Sequence, residues 1–212
     1  MINQVRKALG RTEPLKNPPI PPEIPEAIAR LAPRDANLPD LFTKSAAQAH
    51  FKIERTTPDQ IPSRIVAFLQ LHQCQKIGIS ISPLLDHLKI EPAIRAANLT
   101  LNRWDETTLD STYDQDCGIT DVYAAVAETG SLVIRPSKNQ GRALSLIPPI
   151  HIAIVETTNI LPDLIDLMQK ITKDPRTPNI TLITGPSKTA DIEGALVTGV
   201  HGPGLVQIFL LP

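Results

Sequence analysis

Polar and apolar residues alternate over His50–Glu54 (HFKIE), the period of two expected of a half-buried strand. The period then changes. Across Pro58–Gln73 the apolar residues Ile61, Ile65, Phe68 and Leu69 recur at helical spacing, so a helix should follow the strand. Lys76–Ile81 (KIGISI) predicts a short apolar strand. Pro83 suits the first turn of a helix carrying Leu84, Leu85 and Leu88, because an N–H at that point has no helical acceptor to lose. Leu99–Asn102, the continuous run Ile150–Val155 (IHIAIV), Ile180–Thr184 and Leu205–Leu211 predict further strands, and Pro162–Ile171 a further helix. Strands alternating with helices need crossover connections, hence a mainly parallel sheet covered on both faces by helices. The fold class is α/β.

Two regions depart from that rhythm. Residues 116–135 (DCGITDVYAAVAETGSLVIR) hold two apolar runs, Val122–Ala127 and Leu132–Ile134, too close together for a parallel crossover. A bend or hairpin is predicted, with Gly130 supplying the unusual backbone angles of a tight turn. Glu128 ends the first run, either as a water-facing turn residue or as a carboxylate placed in a site. The other departure is the N-terminus. Of the 21 prolines, eight lie in the first 40 residues: Pro14, Pro18, Pro19, Pro21, Pro22, Pro25, Pro33 and Pro39. Each fixes φ and removes a donor, which excludes a continuous helix or a central strand. Residues 1–9 read as a short helix and 10–40 as an extended arm, whose apolar beads Leu15, Ile20, Ile24, Ile28 and Leu31 can pack on the body or on a partner. The chain divides on this reading into a helix and Pro-rich arm over 1–44 and an α/β domain over 45–212.

Composition narrows the function classes. With 21 Lys and Arg against 22 Asp and Glu, the net charge of −1 gives no electrostatic footprint for nucleic acid or an acidic membrane. No apolar run approaches the ~18–20 residues of a membrane span, and MINQVRKALG lacks the apolar core of a signal peptide, so a cytoplasmic protein is expected. Cys74 and Cys117 are too few for a disulfide framework or a Cys-rich metal site, and no HExxH or Cys–His spacing offers another metal site.

The densest chemistry lies at 184–204 (TGPSKTADIEGALVTGVHGPG). Thr184–Thr189 leaves a predicted strand and should enter a helix near Ala190–Gly194, the place where open α/β sheets bind ligands. Gly185 permits close backbone approach, Ser187 and Thr189 offer hydroxyls, and the helix start would present free N–H groups to an anion. Asp191 and Glu193 either cap that helix or bind a hydroxyl or amine. Neither GxxxxGK[ST] nor GxGxxG occurs, which excludes a Walker loop and a dinucleotide fingerprint. His201 sits in a rigid loop between Gly199 and Gly202-Pro203-Gly204, a setting that His50, His72, His87 and His151 lack. The candidate catalytic residues are Glu128 and His201. The candidate binding residues are Gly118, Thr129, Gly130, Gly185, Ser187 and Thr189, together with Asp191, Glu193, Gly202 and Gly204. The Glu128–Gly130 turn and the 184–194 and 201–204 segments are expected to converge at one edge of the sheet.

Three ordered motifs, Asp116–Arg135, Leu146–Val155 (LIPPIHIAIV) and Ile183–Gly204, together resemble the LUD-domain family, in particular its lactate-utilisation protein C branch. The resemblance covers roughly residues 45–211; Ser131 stands where the motif is expected to carry threonine after ETG. It implies a fold similar to that of the sugar-phosphate isomerase and coenzyme A transferase superfamily. It also implies participation in oxidising L-lactate to pyruvate, with iron–sulfur clusters carried by partner subunits and none bound by this chain, which has only two cysteines. Glu128 looks similar to the glutamate that attacks acyl thioesters in coenzyme A transferases. Three function classes follow: a component of a lactate-oxidising complex that binds a small carboxylate or a partner, an independent acyl or small-anion enzyme using Glu128, and a non-catalytic regulatory or scaffold protein.

Overall fold

The computed structural model describes residues 2–10, 20, 30, 32, 35–192 and 195–212, and the chain divides into two compact units, Met1–Arg30 and Leu31–Pro212. In the first unit, helix α1 spans Ile2–Ala8. Of the arm's apolar beads, Ile20 is exposed, and Leu15, Ile24, Ile28 and Leu31 lie outside the described residues.

The second unit opens with helix α2 (Leu38–Gln48), which starts inside the stretch expected to be extended and runs across residue 45. Asn37 Oδ1 accepts the Asp40 N–H at 3.3 Å, and Pro39 occupies the first turn, where its missing N–H costs nothing. Proline density alone therefore overshoots the end of the arm. The chain continues through β1 (Lys52–Arg55), α3 (Ile61–Leu71), β2 (Lys76–Ile79), α4 (Pro83–His87), α5 (Ile90–Ala96), β3 (Thr100–Arg103), α6 (Leu109–Tyr113) and β4 (Cys117–Asp121). Then come β5 (Ala124–Val126), β6 (Ser131–Ile134), α7 (Ala143–Leu146), β7 (Ile150–Glu156), β8 (Ile160–Leu161) and α8 (Leu164–Lys173). The last elements are β9 (Thr181–Ile183), β10 (Lys188–Ile192), β11 (Ala195–Thr198) and β12 (Leu205–Leu211).

Six strands form one parallel sheet in the order β1-β12-β7-β4-β2-β3. Period-2 alternation sends Ile77, Ile79, Ile119, Ile152, Ile154 and Phe209 to one face, where α3, α4 and α5 cover them. From α3 come Ile61, Ile65 and Leu69, all fully buried on one helical stripe. Each such side chain contributes about 1.5–3 kcal/mol on burial. The opposite face, with Ala153, Val155, Val206, Ile208 and Leu210, packs on Phe42 and Ala46 of α2 and on Ala125, Leu132 and Ile134. Those last three belong to a second sheet, β8-β5-β6-β9, whose outer face meets Leu167 of α8. The fold is thus α/β, with a parallel sheet buried on both sides.

Residues 122–134 form the expected hairpin, with Ala124↔Val133 and Val126↔Ser131 paired antiparallel and Gly130 at φ 67°. Two other expectations need correction. The strand read at 180–184 does form, as β9, but it pairs antiparallel with β6 in the second sheet; β4 and β12 already flank β7 in the large one. No helix follows it among the described residues. Lys188–Ile192 and Ala195–Thr198 pair as an antiparallel hairpin, with a register shift between Thr189 and Ile192. Thr189, Ile192, Val197 and Thr198 are β-branched and favour the extended backbone, so the helix start expected to hold an anion does not exist.

Gly118, counted with the binding set, is closely packed. It lies beside Gly78 in the β2–β4 register, and a Cβ built on it would overlap the Leu144 carbonyl oxygen of α7. A Cβ on Gly78 would overlap the Gln115 side chain. Gly118→Ala should cost about 1–3 kcal/mol or more by overpacking, read as a fall in the denaturation midpoint; unchanged stability would contradict this close packing.

His151, the register partner of Gly118, is fully buried with Nε2 2.9 Å from Thr120 Oγ1. Burial pushes its pKa down to about 3. An unfolded histidine titrates near 6.5, so below that pH the unfolded chain takes up a proton that the native chain refuses. Stability contributed by neutral His151 should therefore fall as pH drops from about 6.5 towards about 3. Denaturant titrations between pH 7 and 4.5 should show a smaller loss in His151→Asn than in the parent; equal losses would contradict it.

Candidate functional site

The structure links three of the sequence-predicted segments by direct contacts. Thr129 Oγ1 lies 2.7 Å from Ser131 Oγ, which lies 2.7 Å from Thr184 Oγ1, so a chain of hydroxyls joins the Glu128–Gly130 turn to the end of β9. Ser187 then donates its N–H to the Pro203 carbonyl at 2.8 Å and accepts the Gly199 N–H at 2.9 Å. A Cβ on Gly202 would sit 3.4 Å from Ser187 Cβ, so the 184–189 and 199–204 loops touch at Ser187. Gly204 donates to the carbonyl of Pro149, which directly precedes β7. Since β7 and β12 run parallel, with Leu205 opposite Ile150, the 199–204 loop lies at the amino edge of the large sheet. That is the edge opposite the one where ligands of open α/β sheets gather.

Two of the glycines serve packing here. Gly130, at φ 67°, lets the turn seat against the Ser45–Ala46 backbone of α2, where a Cβ would collide. Gly185, at φ 102°, presses in the same way on the Ala49 carbonyl. Both backbones approach the C-terminal end of α2 closely. Glu128 is half-buried and donates its own N–H to the Pro162 carbonyl at 3.0 Å; His201 is exposed. Thr189 pairs with Val197 in the β10–β11 hairpin. Asp191 is in β10, and Glu193 lies outside the described residues.

At the carboxyl edge the structure assembles a group that reading by motif missed. Asp121 ends β4, and Ser80 Oγ, just past the end of neighbouring β2, donates to its Oδ1 at 3.4 Å. The nearby Ser82 hydroxyl works to lower the pKa of the Asp121 carboxyl, and it caps α4 by accepting the Leu85 N–H at 3.2 Å. Gln140 Nε2 donates to the Asp121 carbonyl at 3.1 Å, and the Asn139 carbonyl accepts the Ile81 N–H at 2.9 Å, so the 137–142 loop is tied to both strand ends. Desolvation raises the Asp121 pKa above its ordinary value, against the opposing hydroxyls of Ser82 and Ser80 and its own N–H. A carboxyl so held can give or take a proton, and two hydroxyls stand ready to orient a ligand. The signal was present in the sequence: serines directly after KIGI and an aspartate closing CGITD, both at ends of central strands.

The raised Asp121 pKa has a consequence for stability. Proton binding there favours the folded state, so its contribution is present at low pH and lost as pH rises through the folded pKa. Asp121→Asn keeps an acceptor for Ser80 and removes that loss. The variant should be more stable than the parent at pH 7, with a gain that shrinks on acidification; urea denaturation at pH 7 and pH 4.5 reads both. Lower stability at pH 7 would show that the charged carboxylate stabilises the fold.

Comparison with known proteins agrees with this architecture. The chain is 27% identical over 214 residues to Lactate utilization protein C of Halalkalibacterium halodurans, covering 95% of this chain and 92% of that protein. It is 39% identical to the Bacillus subtilis protein of the same description over 109 residues, 47% of this chain and 45% of that one. A crystal structure of a DUF162 family protein from Deinococcus radiodurans superposes with a TM-score of 0.57 at 19% identity, covering 82% of this chain and 96% of that one. Residues 39–211 match the LUD domain, and the chain belongs to the LUD-domain family.

Proposed function

We propose that this chain serves the oxidation of L-lactate to pyruvate in the cytoplasm, as the component without iron–sulfur clusters beside partner subunits that carry them. The observation that carries this reading is the likeness to Lactate utilization protein C along nearly the whole of both chains. Two cysteines cannot ligate a cluster. Both are also poor thiolates: burial pushes Cys74 up to about 11 and raises Cys117 well above its ordinary value. No helix among the described residues is long and apolar enough to cross a membrane. The role this leaves is to hold a small carboxylate or a partner subunit. The Asp121–Ser80–Ser82 group supports the former, since it sits where parallel sheets present ligands and can exchange a proton with one.

Deleting the chain from its host should abolish growth on L-lactate while leaving growth on pyruvate intact, and the parent chain should restore it. Unimpaired growth on lactate would overturn the proposal. A tagged chain from lactate-grown cells should also bring down proteins with the visible absorption of iron–sulfur clusters. Thioester turnover by the purified chain, lost in Glu128→Gln, would favour independent acyl transfer instead.

A further inference from the structure

We propose that the cavity at the carboxyl end of β1, β7 and β12 binds an amphiphilic organic anion, with a carboxylate or phosphate head on an apolar body. This ligand is distinct from lactate, and the proposal does not rest on the lactate reading. The cavity measures about 410 Å³, within the roughly 300–1,000 Å³ of sites that take small organic molecules and roomy for a three-carbon acid. Its lining is mixed in chemistry. Arg55, Thr56 and Thr157 bring polar groups to the lining, and Pro39, Leu210 and Leu211 bring hydrocarbon.

The polar part of the lining offers donors without partners. Asp40 Oδ1 and Thr43 Oγ1 accept from Nη2 of Arg55 at 2.5 and 3.1 Å, which fixes the guanidinium in place. Its Nε and Nη1 groups have no protein acceptor, and Asp40 is the one carboxylate within 4.0 Å, among the described residues. A planar fork with free N–H groups suits a carboxylate or phosphate oxygen pair. Thr56 is only 9% exposed, and its buried Oγ1 has no hydrogen-bond partner. Leaving such a hydroxyl unsatisfied costs about 1–3 kcal/mol, which a ligand oxygen would relieve. The third feature is the start of α3 just beyond: Gln60, at its N-cap and also on the cavity wall, makes no side-chain cap, so the positive end of the helix dipole borders the same space. Three independent features of the lining favour negative charge, while its leucines and prolines favour hydrocarbon.

The test uses the full chain with octanoate and octyl phosphate as probes, and acetate and octan-1-ol as single-feature controls, in calorimetry and thermal-shift titrations. At least one octyl anion should bind saturably and at least tenfold more tightly than either control; the tighter of the two identifies the head group. Arg55→Gln should weaken that binding about tenfold or more, and the fold should survive because the Arg55–Asp40 pair is exposed. Thr56→Val, which removes the orphaned hydroxyl at constant shape, should weaken it several-fold. The proposal is overturned by absence of saturable binding, by octan-1-ol or acetate binding as well as the anions, or by affinity unchanged in both variants.

Discussion

The last strand of the chain is an interior strand of its main sheet, and everything else follows from that placement. β12 pairs along seven residues with β7 on one side and along four with β1 on the other. The edge strand β1, early in the domain, therefore has no sheet to join until β12 is in place. Such non-local pairing carries loop-closure entropy that local helices do not. The compensation lies in the burial of β12: Val206, Ile208 and Leu210 enter the core against α2 and the second sheet, and Phe209 and Leu211 enter the core under α3, α4 and α5.

Close backbone approach is the second organising constraint. Gly78 and Gly118 bring α7 and Gln115 down onto the sheet, while Gly130 and Gly185 bring two turns up against the last turns of α2. A glycine that admits a ligand and a glycine that admits a helix look alike in sequence, because both are chosen for the missing Cβ. Only the neighbouring atoms distinguish them. At these positions the neighbours are Leu144, Ala46 and Ala49 backbone, and the space is filled by protein.

The two edges of the large sheet consequently differ in character. At the amino edge the 184–187 and 199–204 loops are bound to each other by backbone hydrogen bonds and to the Glu128–Gly130 turn through Ser131, an arrangement that fixes the second sheet against the first. At the carboxyl edge, polar side chains stand at several strand ends: Arg55 at the end of β1 and Thr56 just after it, Thr157 after β7, Asp121 at the end of β4 and Ser80 after β2. Several of these are poorly solvated, as the orphaned Thr56 hydroxyl and the raised Asp121 pKa indicate. Groups kept in that condition cost stability, and the cost is more readily understood at a site that meets ligands than in a purely structural contact.

Local physics made much of the fold legible. The stripe Ile61–Ile65–Leu69, the apolar run of β7 and the short span around Gly130 each allow one backbone period or one turn, so α3, β7 and the β5–β6 hairpin could be read directly. The ordered motifs likewise carried the family. Neighbours in sequence could not decide the rest. Strand pairing is a matter of which edges remain free, and so β9 went to β6 and the 188–198 segment closed on itself as a hairpin instead of entering a helix. The candidate residues were chosen where unusual side chains cluster along the chain, whereas Arg55, Asp121 and Thr157 are unremarkable in their own segments. They share an edge only because parallel strands end together, and that alignment exists only in the assembled sheet.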